Sequence, residues 1–185
     1  MFFINPFIYA GGGDYESIAT VTVGSGGAAS IEFTSIPSTY QHLQIRGILR
    51  GADSSASDEA FVVRLNGDTG SNYAWHYLQG NGSSASASAG SSKTLIDYSI
   101  GAPAATATAS AFCAFVVDIL DYASTSKATT VRSFNAWDTN GGGLVRLTSG
   151  LWTSTSAVTS FSIVNVASRN AVQYSTAALY GVKAP

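Results

Sequence analysis

The chain holds two imidazoles, His42 and His76, and one thiol, Cys113, so side chains suited to proton transfer or nucleophilic attack near neutral pH are few. His76, Asp68 and any of the many serines would make a nominal Ser-His-Asp set, but the chain contains no G-x-S-x-G elbow. His42 opens a strand-like run and His76 alternates with Trp75 and Tyr77, which is the setting of structural histidines. Cys113 sits in the apolar stretch 111–120, where burial raises a thiol pKa and leaves the sulfur inert.

The carboxylates divide into turn-like sites. Asp53, Asp58 and Glu59 border a Ser-rich segment, Asp68 follows Asn66-Gly67, and Asp138 precedes Thr139-Asn140-Gly141. Oxygen ligands of this kind hold Ca²⁺ in some loops, but the residue twelfth from Asp138 is Ser149, not the Glu of an EF-hand. Turn formation by Asp and Asn accounts for them, and no metal or cofactor is expected. Asp118 and Asp121 bracket two apolar residues and read as an edge or turn feature, not as the acid pair of a glycosidase. Gly24-Ser25-Gly26-Gly27 follows a strand but precedes another strand, whereas a phosphate loop needs a helix N-terminus. No catalytic centre is expected.

Aromatic residues offer a different chemistry. Tyr73, Trp75 and Tyr77 alternate onto one face, and Trp137 and Trp152 end strand-like runs. They either fill a core or, as glycan-contact residues Trp75, Trp137 and Trp152, stack on sugar rings.

The elements that position these residues are strands. Helix-period patterning is absent, while β-branched and aromatic residues recur in short runs between Gly, Ser, Asn and Asp clusters. Residues 17–23 and 29–33 read as a hairpin across the Gly-rich turn. Residues 42–50 put Leu43, Ile45 and Leu49 on one face and Gln44, Arg46 and Arg50 on the other. Further strands are expected at 61–65, 73–78, 93–100, 111–120 (buried at both faces over part of its length), 129–137, 144–152, 158–166 and 176–182. Asn66-Gly67 predicts a tight turn, and Asn140-Gly141-Gly142-Gly143 a hairpin. Segments 80–92 and 101–110, rich in small residues, are expected to be loops. The fold class is all-β, an antiparallel sandwich of about eight to ten strands occupying residues 14–185.

Only 11% of residues are charged, and the net charge is −2. An ordinary domain is about 25% charged. Such a surface repels its own copies weakly and suits life inside an assembly. Nine scattered Lys and Arg form no basic face, so a nucleic-acid partner is excluded. No apolar run reaches the ~18 residues of a membrane helix, so no membrane partner is expected.

Residues 1–13 form an arm. Phe2, Phe3, Ile4, Phe7, Ile8 and Tyr9 precede Gly11-Gly12-Gly13. Asn5 and Pro6, with no basic start, argue against a signal peptide. Such a segment must cover apolar surface, on its own sandwich or on a neighbour, and it is expected to act as a partner-binding assembly anchor.

Several phrases, in order, carry a resemblance: Asp14-Tyr15-Glu16-Ser17-Ile18, Ile31-Glu32-Phe33-Thr34-Ser35-Ile36-Pro37, Leu65-Asn66-Gly67-Asp68-Thr69-Gly70, Val117-Asp118-Ile119-Leu120-Asp121-Tyr122, Ser149-Gly150-Leu151-Trp152 and Leu179-Tyr180-Gly181-Val182. Together they resemble small jelly-roll virion proteins of tailed bacteriophages. The resemblance implies a jelly-roll module, a homotrimer, and a place on the capsid surface as a decoration or cement protein bound to the major capsid protein. The alternative it implies is a tail or head fibre domain contacting fibre proteins or host surface glycans. It brings no catalytic motif.

Overall fold

A computed structural model of the chain describes residues 14–183. The arm and the anchor residues placed on it lie outside the described residues. Twelve strands follow one another: β1 (Tyr15–Thr22), β2 (Ser30–Phe33), β3 (His42–Leu49), β4 (Asp58–Leu65), β5 (Tyr73–Gly80), β6 (Ala85–Lys93), β7 (Ile96–Pro103), β8 (Cys113–Leu120), β9 (Thr129–Asp138), β10 (Gly143–Trp152), β11 (Phe161–Asn165) and β12 (Thr176–Val182). The described residues contain no helix.

The strands form two antiparallel layers of unequal size. Eight lie in the order β1-β12-β3-β8-β9-β10-β5-β6 and four in the order β2-β11-β4-β7. The small sheet packs on one face of the large one. Leu43, Ile45, Leu49, Phe115 and Val117 meet Phe61, Val63, Ile100, Phe161 and Ile163 in a single buried core. The antiparallel sandwich expected from the alternating runs is therefore the architecture observed.

Four expectations need correction. The described residues form twelve strands, not eight to ten, because segment 80–92 is no loop: most of it forms β6, paired with β5 from Gly80↔Ala85 to Tyr73↔Lys93 with a bulge between Gly90 and Lys93. Backbone pairing makes that strand without any burial of its side chains. The second loop likewise starts later than 101, since β7 runs to Pro103. The Gly-rich turn does not close a hairpin either. β1 pairs with β12 and β2 with β11, so the turn carries the chain from one layer to the other. Finally, residues 113–120 bury one face strictly, Cys113, Phe115, Val117 and Ile119, and not both.

Other local readings hold. Asn66 and Gly67 both have positive φ, 51° and 63°, as a type I′ turn requires. The Asn66 side chain locks that turn by accepting from the backbone N–H groups of Thr159 and Ser160. The β9–β10 hairpin closes through Thr139 N–H to Gly142 O at 2.8 Å.

Close approach of neighbouring strands within the large sheet sets a size limit at Gly47 in β3. A Cβ there would lie 2.1 Å from the Thr176 carbonyl oxygen and 2.7 Å from the Phe115 ring. Gly80 has its nearest neighbour, the Ser84 oxygen, at 3.9 Å. Gly47→Ala is expected to cost about 3 kcal/mol and Gly80→Ala under about 0.5 kcal/mol in urea unfolding. Equal losses would show that β3 does not approach β12 and β8 this closely.

Candidate assembly surface

The catalytic candidates do not converge. His42 Nδ1 accepts the Asp121 backbone N–H at 2.9 Å, and so ties β3 to the turn after β8. His76 is exposed on the outer face of the large sheet. Burial pushes the Cys113 thiol up to about 12. Asp118 pairs with Arg132 at 2.9 Å, whereas Asp121 pairs with Lys127 at the turn, so the two acids serve different contacts.

Of the acids expected in turns, Asp53, Asp68 and Asp138 bond turn backbone, whereas Asp58 and Glu59 open β4 and Glu59 is buried there. Asp53 accepts from the Ser55 N–H at 2.8 Å, and Asp138 from the Asn140 N–H at 2.7 Å. Arg169 bridges Asp53 and the buried Glu59. Among the described residues no three His, Cys, Asp or Glu side chains gather as a metal set.

The tryptophans separate. Trp75 and Trp152 are buried in the core, so neither offers a ring face to a sugar, and the stacking role considered for them does not hold. Trp137 is half-buried and lines a groove of about 350 Å³ with Asn81, Asp138 and Gly141–Gly143. The Trp152 indole N–H donates to Asp68 Oδ2 at 2.7 Å. Asn72 donates to the same oxygen at 2.9 Å, and Gly70 N–H to Oδ1 at 2.8 Å. These donors, the indole first, hold the Asp68 carboxyl below its usual range. A depressed folded pKa contributes stability above the unfolded value and loses it as pH falls toward the folded one. Asp68→Asn is therefore expected to lower the urea midpoint at pH 7, with the deficit shrinking as pH drops below about 4. A deficit unchanged at pH 3 would contradict this.

What the sequence reading missed lies on β9 and β10. Their alternation is inverted. Ser133, Asn135, Arg146 and Thr148 point into the sandwich and are buried, while Phe134, Val145 and Leu147 point out. The inward polar groups have partners on β7. Ser133 Oγ donates to Ser99 O at 2.7 Å, Asn135 Nδ2 to Gly101 O at 3.0 Å, and Thr148 Oγ1 to Tyr98 O at 2.7 Å. The Arg146 guanidinium lies over the Tyr98 and Tyr77 rings at 5.2 and 5.5 Å and donates to Gln79 at 2.8 Å.

The outward set makes one apolar surface. Phe134 is 47% exposed, Leu147 53% and Leu78 55%. Pairing puts Val116, Phe134, Leu147, Leu78 and Ala87 side by side across five strands. The first four line a concavity of about 550 Å³ whose rim is the Asp118–Arg132 pair, Ser149 and His76.

The sheet edges are equally unequal. β1 carries a bulge between Ser17 and Ala19, and Glu16 there binds Lys183 and Tyr40. β2 has four residues and bears Glu32. The inward side chains of β9 and β10 occupy β7 carbonyls. Among the described residues β6 is the least protected edge: it is nine residues long, almost wholly exposed and uncharged before Lys93, and its one bulge, between Gly90 and Lys93, leaves Ala85–Gly90 regular. Natural edges normally interrupt such a regular stretch with charge, Pro or a bulge. The signal for it was in the sequence, as the Ala-Ser alternation at 85–89, but without apolar residues it read as a loop.

Comparisons of this chain with protein-family models, with curated proteins and with solved structures found no match.

The inversion reverses the usual mutational order. Ser133→Ala leaves the Ser99 carbonyl without its partner in a dry site and is expected to cost about 1–2 kcal/mol. Phe134→Ser removes a half-exposed ring and is expected to cost less than about 1 kcal/mol. Denaturant titration that found the ring to matter more would overturn the assignment of faces.

Proposed function

We propose that this chain is a structural subunit of a phage particle, a capsid decoration or cement protein that binds the outer shell and stabilises the head. The observation that carries this reading is the β6 edge, whose regular stretch Ala85–Gly90 has no second neighbour among the described residues and so offers backbone groups to a strand of another subunit. The sparsely charged exterior supports it, since copies packed on a shell repel one another little. The ordered phrases shared with small virion proteins support the viral setting. In this reading the jelly-roll description applies to the sandwich, copies associate as a homotrimer, and the partner surface is the major capsid protein.

Fibre function is the second reading, and the half-exposed Trp137 beside Asn81 and Asp138 favours it. Ring stacking with hydrogen-bonding amide and carboxylate neighbours is the chemistry of sugar contact.

Counting copies in purified particles separates the two. Cement requires a number set by the capsid lattice; a number set by one vertex or tail supports the fibre reading, and absence from particles removes both. Ser86→Lys with Ser88→Lys places two charges on the β6 edge. The pair is expected to reduce incorporation about tenfold, equivalent to about 1.4 kcal/mol, with an unchanged unfolding midpoint. Normal incorporation would exclude β6 as the joint.

A further inference from the structure

The concavity on the outer face of the large sheet has an apolar floor and, among the described residues, no covering layer. Its floor runs from Val116 in β8 through Phe134 and Leu147 to Leu78 in β5. Toward β1 the same row turns polar: Arg46 in β3 pairs with Val116, and Gln44 lies two residues along from it. Along that row the face is therefore graded, apolar over β8, β9, β10 and β5 and polar at Arg46 in β3.

The chain itself carries a segment graded in the same order. Residues 2–9 are apolar rings and aliphatics broken by Asn5, and Gly11-Gly12-Gly13 separates them from Asp14 at the start of the large sheet's edge. We propose that residues 2–9 of the same chain occupy this groove. The glycines then pass over the polar part of the face, and the apolar residues meet the apolar part.

Reach decides the register of this match. Tyr15 is level with Val182 and His42, and Phe134 is level with Val116 and Arg46. From Tyr15 to Phe134 is thus four strand spacings across, about 19 Å, and four residues along, about 13 Å, or roughly 23 Å on the diagonal. Eight residues, from Phe7 to Tyr15, extend at most about 26–29 Å. Phe7 reaches Phe134, and residues 2–4 reach Leu147 and Leu78 beyond it. A shorter linker would leave the rings over Gln44 and Arg46.

The inference does not depend on the virion reading, because the cover would form on an isolated chain. It chooses the chain's own sandwich, from the two placements the sequence allowed, for the arm.

Full-length protein carrying Asn5→Cys and Ala136→Cys tests it. Ala136 is a small outward residue of β9 beside Val145, within reach of Asn5. Native Cys113 is buried and does not compete. Mild oxidation is expected to give an intrachain disulfide in excess of that from Asn5→Cys with Ser162→Cys, a control on β11 of the opposite layer. Yield no greater than the control overturns the proposal, and a crosslinked dimer overturns it in favour of an arm exchanged between copies. Phe134→Asp is the second variant. It places a charge at the groove floor on a half-exposed site, so the sandwich stays folded, and cleavage within residues 1–13 by a nonspecific protease is expected to quicken about tenfold. Cleavage unchanged in a folded variant also overturns it.

Discussion

Three side chains bonded to three backbone carbonyls decide how this sandwich faces the world. Ser133, Asn135 and Thr148 reach from the large sheet to the carbonyls of Ser99, Gly101 and Tyr98 on the rim of the small one. Each bond is worth only about 1 kcal/mol net, but each carbonyl left dry and unpaired would cost more than that. Side chains alternate along a strand, so directing these three inward necessarily directs Phe134, Val145 and Leu147 outward. A slip of one residue in β9 or β10 would bury the apolar set and strand three polar groups in water, but it would also leave the β7 carbonyls bare. The seam therefore fixes at once the register of the central hairpin, the docking of the second layer and the character of the outer face.

The same seam solves an edge problem. A four-stranded sheet ends in two edges, and β7 would otherwise offer its free carbonyls to any passing strand. Covering them with side chains from the facing layer removes that hazard. β1 and β2 are blunted by other means, the first by a bulge and the Glu16–Lys183 pair, the second by being four residues long. Against these, β6 is the least guarded edge among the described residues, since its one bulge, between Gly90 and Lys93, leaves Ala85–Gly90 regular. Lys93, its only charge, sits at its end, where it does not guard the pairing groups of residues 85–92.

Much of the scaffold was legible because it obeys alternation. Leu43, Ile45 and Leu49 were readable as one buried face since apolar and polar residues interleave there, and the Asn-Gly signals at 66 and 140 marked real reversals. What escaped has physical causes. A Gly-rich turn reports that the chain bends, not which strand it will pair with next, so β1 and β2 read as partners although they belong to different layers. β6 is a strand by virtue of β5's backbone and has no burial pattern to read. The apolar surface was hidden by inversion: from sequence, Phe134 and Leu147 look like core, and Ser133 and Thr148 look like surface. Trp75 and Trp152 were readable only as aromatic residues, and it took the core around them to decide against a sugar-stacking role.

An apolar surface on a chain with so little charge needs a limit, or it would bind anything. The limit here is the polar row directly beside it. Gln44 donates to Asp118 at 2.7 Å and Arg132 closes on the other carboxylate oxygen at 2.9 Å, which fixes a line of satisfied polar groups across β3, β8 and β9. A flat apolar partner laid on Phe134 and Leu147 would have to desolvate that line and gain nothing from it, since its strongest donors and acceptors are already matched to one another. A narrow occupant that follows the apolar row and stops at the ion pair meets no such cost. Selectivity on this face thus comes less from attraction along the groove than from the expense of straying outside it, and that expense is set by residues whose period-two positions the inward seam already dictates.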